Sequence, residues 1–163
     1  MISPDIGKLA SEVIAAALRR PARLATAESC TGGLIGAALT DVAGSSAVFD
    51  RGYVTYSNAA KHQMLGVEMH VFETVGAVSH DVARSMAEGA KSLSDVDFAV
   101  SVTGIAGPGG GSTEKPVGLV YFGLADAHGV QVERHLLSGM DRQAVREASV
   151  MIALTLLLNA VSR

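Results

Sequence analysis

The chain has no tryptophan, and aromatic residues make up only 4% of it, which excludes a surface of interleaved rings stacking on nucleic-acid bases. It has one cysteine, Cys30, so no internal disulfide can form. Its five histidines, at 62, 70, 80, 128 and 135, are scattered, and no Cys/His cluster has the spacing of a zinc site. No metal and no cofactor is expected. There is no run of basic residues and the net charge is −3. That disfavours a nucleic-acid partner, while one phosphate held by arginines or backbone groups stays open. The N-terminal stretch lacks the long apolar run of a signal peptide or a membrane span, so a cytoplasmic protein without a membrane partner is expected.

What remains is a chain of 163 residues, 48% hydrophobic and 18% charged, of a size and composition to fold as one domain over 1–163. Its core must come from Ala, Val, Leu, Ile and Met. Ser3-Pro4-Asp5 caps an amphipathic helix carrying Ile6, Leu9, Val13, Ile14, Ala17 and Leu18. Arg23 to Ala27 reads as a buried strand, Thr31 to Asp41 as a helix, and Val48 to Tyr56 as a second strand. Ser57-Asn58 caps a helix that stops at Gly66. Val71 to Gly76 is a short turn of helix, and Ser79 caps a longer one with Val82, Met86, Ala90 and Leu93 as its apolar positions. Asp97 to Val102 is a strand buried on both faces. Pro116 to Ala125 and Val130 to Leu137 form a hairpin around Asp126-Ala127-His128-Gly129. Asp141 to Val161 is a long helix with Val145, Ala148, Ile152, Thr155, Leu156 and Asn159 down one side, and its apolar surface is a possible homo-oligomer face. Alternating elements followed by a late hairpin predict a single-domain, three-layer α/β/α sandwich around a mixed β-sheet.

Chemistry concentrates at strand ends. In Ala25 to Gly33 an apolar run stops at Ser29, Cys30, Thr31 and two glycines, which leaves hydroxyls, a thiol and unpaired N–H groups at one edge of a sheet. Ser29 is the candidate reactive centre; the other reading makes Thr31 an N-cap and the glycines a packing device. Lys61 falls in the first turn of its helix, where the dipole favours the neutral amine; the alternative is a solvated lysine. Thr103 to Ser112 is rich in glycine but lacks a P-loop ending. It is either a nest for an anion or a flexible connection. Arg142 and Arg146 lie four apart on one helix face, as an anion contact or as two solvated charges.

Thr26-Ala27-Glu28-Ser29-Cys30-Thr31-Gly32-Gly33, then Gly52 to Lys61, then Gly104-Ile105-Ala106-Gly107-Pro108 with Lys115-Pro116-Val117-Gly118, and finally Arg142 to Arg146, together resemble the CinA C-terminal domain family of nicotinamide-nucleotide amidohydrolases. The resemblance runs from about Arg23 to the end of the last helix and implies hydrolysis of the carboxamide of nicotinamide mononucleotide (NMN). It implies Ser29 as nucleophile, Lys61 as its base and Tyr56 as a proton relay or orienting group. It further implies substrate contacts from Cys30, Thr31, Gly32, Gly33, Asn58, Thr103, Gly104, Ala106, Gly107, Arg142 and Arg146, with the amides of Thr31 to Gly33 serving the oxyanion. The chain departs from the family pattern at Ser138-Gly139-Met140-Asp141-Arg142, where Met140 is inserted into the usual Gly-Asp-Arg. Two rivals to this reading are a Cys30 thiolate amidase and a non-catalytic nucleotide-binding module.

Overall fold

The computed structural model describes residues 2–163. Five strands form one mixed sheet in the order β2-β1-β3-β4-β5: β1 (Leu24–Glu28), β2 (Phe49–Val54), β3 (Phe98–Gly104), β4 (Leu119–Asp126) and β5 (Gly129–Leu136). β2, β1 and β3 are parallel, and the β4–β5 hairpin joins antiparallel to β3. Six helices cover the two faces: α1 (Pro4–Arg19), α2 (Leu34–Thr40), α3 (Asn58–Leu65), α4 (Met69–Thr74), α5 (His80–Ser94) and α6 (Arg142–Val161). The three-layer sandwich expected from the sequence is therefore the architecture.

Strand alternation sorts the core. Leu24, Val100, Val102, Val120, Phe122 and Leu124 face α1, α2 and α6, while Ala25, Ala27, Ala99 and Ala125 face α5. The alanine face lets α5 lie close to the sheet. At Gly89 of α5 the carbonyl of Leu65, at the end of α3, occupies the space a Cβ would need. α3, and whatever it carries, is seated directly on that glycine.

Several boundaries and faces differ from expectation. α2 begins at Leu34 rather than Thr31, because Gly32 and Gly33 take left-handed φ values of 62° and 97° and hold residues 30–33 in a turn. β3 continues through Thr103 and Gly104, which pair with Tyr121 and Val120. Leu93 of α5 is exposed; the buried stripe advances by fours to Ser94, whose hydroxyl meets Tyr53 at 2.9 Å. On α6 only Val145 of the expected stripe is buried, and the core face is Val145, Ser149, Val150, Ala153, Leu154, Leu157, Ala160 and Val161. That helix is apolar nearly all round, so its periodicity points nowhere. Ser149 enters the core by donating its hydroxyl to the Val145 carbonyl at 2.7 Å. By length and composition α6 could cross a membrane, with a mean hydropathy of 1.6, but here it is a core helix packed on β3, β4 and α1.

Candidate active site

Ser29 follows β1 directly, and both neighbouring strands hold it there. Its N–H donates to Val102 O of β3 at 3.0 Å, while Glu28 O accepts from Thr55 N–H beside β2 at 2.8 Å. Ser57 caps α3, its hydroxyl accepting from Ala60 N–H at 3.0 Å. Lys61, the fourth residue of that helix, points back into the interior. It is 1% exposed, and its amine lies 3.0 Å from Ser29 Oγ and 2.9 Å from Thr55 O. Burial lowers its pKa from 10.5 to about 8, since water no longer solvates the ammonium. The solvated-lysine alternative is thereby excluded. Burial acts oppositely on Cys30, pushing the thiol up to about 11, so at neutral pH it is not a thiolate.

These two side chains open into a cleft of about 210 Å³, lined also by Cys30, Tyr56, Asn58, Ala77, Val78, Thr103, Gly104, Ala106 and Arg142. Thr103 is buried and donates its hydroxyl to Ala77 O at 2.8 Å. Arg142 crosses the mouth, donating to Gly107 O at 2.8 Å and to the Tyr56 hydroxyl at 3.0 Å. Met140 is exposed, and Asp141 caps α6 by accepting from Ala144 N–H at 2.8 Å. Arg142 thus faces the cleft. A larger cavity, about 600 Å³, lies at the opposite end of the sheet among Arg20, Lys91, Asp95, Asp97, Asp126 and Arg163, and it contains no nucleophile paired with a base. Among the described residues no three His, Cys, Asp or Glu side chains converge as metal ligands.

Three expected site residues make contacts other than those their implied roles call for. The Tyr56 hydroxyl meets Arg142 rather than Ser29 or Lys61, and its side chain is exposed at the rim, so it does not relay a proton in this geometry. The amides of Gly32 and Gly33 are not free for an oxyanion: Gly32 N–H donates to Ser29 O at 3.0 Å, and Gly33 N–H donates to the Glu28 carboxylate at 3.0 Å. Arg146 does not face the cleft; its Nε and Nη2 donate to the carbonyls of Cys30 and Thr31, each at 3.1 Å.

Sequence reasoning also passed over Glu28. Its buried carboxylate accepts from the Thr26 and Thr31 hydroxyls and from the amides of Gly33, Ile35 and Gly36, at 2.7 to 3.3 Å. It satisfies the first turn of α2, the place a Thr31 cap was expected to hold. The signal was present as an acidic residue inside an apolar strand, five residues before a glycine-led helix.

The chain as a whole is similar to known proteins. The CinA C-terminal domain model matches residues 6–161. "Nicotinamide-nucleotide amidohydrolase PncC" of Enterobacter agglomerans is 52% identical over 155 residues, 94% of each chain. The protein of the same name from Escherichia coli K12 is 48% identical over 154 residues, covering 94% of this chain and 93% of that one. Among solved structures, the competence/damage inducible protein CihA of Agrobacterium tumefaciens superposes with a TM-score of 0.96 at 48% identity, over 100% of this chain and 99% of that one. Matched in sequence from α1 to α6 and in fold along its whole length, the chain belongs to the CinA C-terminal domain family.

Proposed function

We propose that this protein hydrolyses the carboxamide of NMN to nicotinic acid mononucleotide and ammonia, in pyridine-nucleotide salvage in the cytoplasm, with Ser29 as nucleophile and Lys61 as its base. The observation that carries the mechanism is the buried Lys61 amine 3.0 Å from Ser29 Oγ, a nucleophile within hydrogen-bond reach of a group that is neutral in part of the population near neutral pH. The similarity to proteins named nicotinamide-nucleotide amidohydrolase supports the substrate.

In the first half-reaction Lys61 takes the Ser29 proton as Oγ adds to the carboxamide carbon. The resulting ammonium, held by Thr55 O, returns that proton to the departing nitrogen. The C–N bond breaks, ammonia leaves, and an ester of Ser29 remains. In the second half, water gives a proton to Lys61 and attacks the ester carbon; the ester bond breaks, the proton returns to Oγ, and the acid is released. The cleft holds the pyridine ring and its amide between Thr103, Gly104 and Ala106 on one side and Tyr56 and Asn58 on the other. Arg142 at the mouth meets the phosphate-bearing part of the nucleotide.

The test is ammonia release on adding NMN. Ser29→Ala is expected to lose roughly 10³-fold or more in rate, while Cys30→Ala keeps a substantial fraction. An active Ser29→Ala beside a dead Cys30→Ala makes this a cysteine amidase. NMN binding without ammonia release by the wild type makes it a binding module.

A further inference from the structure

The turn that carries Ser29 is gripped from two sides by opposite charges, neither of which lines the cleft. It is a β-turn closed by Gly32 N–H donating to Ser29 O at 3.0 Å, so its central residues are Cys30 and Thr31. On the donor side, the Glu28 carboxylate takes the Thr31 hydroxyl at 2.7 Å and Gly33 N–H at 3.0 Å. On the acceptor side, the Arg146 fork takes the Cys30 and Thr31 carbonyls, both at 3.1 Å. The glycine at 32 fits this turn because its φ is 62°, in the left-handed region. Once those bonds are counted, the backbone groups of the turn left without a partner among the described residues are the Thr31 N–H and the Gly32 carbonyl, while the Cys30 N–H lies against its own thiol. Central amides of a β-turn have no acceptor inside the turn. A thiol is a weak acceptor, so both central amides, immediately after the nucleophile, stand ready for the stronger acceptor that a tetrahedral oxyanion presents.

We infer that Glu28 and Arg146 are positioning residues that clamp the turn from opposite sides and present the Cys30 and Thr31 amides as the oxyanion donors. This rests on the amidase reading above for its chemistry. It assigns to Arg146 a role different from the substrate contact implied by the family resemblance. A guanidinium with two of its donors committed to carbonyls is set against the loop backbone, and its removal changes the orientation of the amides rather than the grip on phosphate. Glu28 works through the same turn. Glutamine in its place keeps the shape but turns an NH₂ group toward donors that need an acceptor.

The experiment compares wild type, Arg146→Lys, Arg146→Ala and Glu28→Gln. Steady-state kinetics are measured on NMN and on its phosphate-free nucleoside, and backbone hydrogen exchange is followed over residues 29–36. With a misplaced oxyanion site, kcat is expected to fall roughly 10²-fold in Arg146→Ala and Glu28→Gln and less in Arg146→Lys. KM is expected to stay within about two-fold, and the preference for NMN over the nucleoside to be unchanged, because a loss confined to the transition state leaves ground-state binding alone. Exchange over 29–36 is expected to quicken in the same order. A KM for NMN that rises about ten-fold in Arg146→Ala, with the nucleoside unaffected, would make Arg146 a phosphate ligand and overturn the inference. Unchanged exchange in all three variants overturns it equally. Should Arg146→Ala fail to fold, Arg146→Lys and Glu28→Gln give the same readings. If the wild type releases no ammonia from either compound, the amidase reading is what fails, and the exchange data alone decide whether the clamp exists.

Discussion

Enclosing Lys61 removes water from an ammonium, and the amine responds by giving up its proton more readily, with a pKa lowered to about 8. The consequence for rate has a definite sign. Below about pH 8 Lys61 is largely protonated and cannot accept the Ser29 proton; above it the free amine is the dominant form. A plot of log kcat/KM against pH is therefore expected to rise with unit slope and bend near pH 8, and a profile flat from pH 6 to pH 9 would remove Lys61 as the base. At this scale the sequence was informative about the two side chains that the structure brings together and silent about their supports. Ser29 announces itself as a hydroxyl at a strand end, and Lys61 as a basic residue beside a helix N-terminus. Arg146 carries no comparable mark. Its partners are two main-chain carbonyls more than a hundred positions away, and a carbonyl is the same in every residue.

Among the elements, α3 matters most, because it delivers Lys61 and is itself placed by contact with α5. Gly89 meets the backbone of Leu65 where a side chain would stand. In an exposed helix Gly→Ala is stabilising by about 1 kcal/mol. Here the added methyl meets main chain that cannot swing away, so Gly89→Ala is expected to lower stability by about 1–3 kcal/mol and to reduce NMN turnover by drawing Lys61 from Ser29. Thermal denaturation alongside the ammonia assay checks both effects; a variant as stable and as active as wild type would mean that α3 is positioned some other way. That glycine gave no sign of its role in the sequence, where a mid-helix glycine simply weakens the helix. The existence of all five strands was readable, because short runs of β-formers ended at glycine, proline or polar clusters. The buried side of α6 was not, since nearly every side of it is apolar and only packing against β3 and β4 selects one.

For the whole molecule, the division of the sheet is also a division of labour. The ends of the parallel strands β1 and β3, with the segment after β2, supply Ser29, Thr103, Gly104 and Lys61, and the β4–β5 hairpin completes the layer behind them. The cleft at that edge, about 210 Å³, is small beside the roughly 300–1,000 Å³ typical of ligand pockets, so on the proposed function the ribose phosphate would lie across the rim near Arg142. If contacts there position the amide, free nicotinamide is expected to be hydrolysed with a kcat/KM roughly 10²-fold or more below that of NMN. Equal turnover of the two would show that the rim does nothing for catalysis. The rim also governs access to the one sulfur nucleophile in the chain. Cys30 is 6% exposed and its thiol is raised to about 11, so at pH 7 only about one molecule in ten thousand carries a thiolate. With its thiol outside the proposed chemistry, Cys30 is a built-in clock for the motion of the Ser29 turn: under a large excess of maleimide, the pace of alkylation counts how often that turn opens, with no other cysteine to blur the signal. NMN bound in the cleft of Ser29→Ala is expected to slow that clock, and an alkylation rate indifferent to NMN would mean that the turn opens without regard to what the cleft holds.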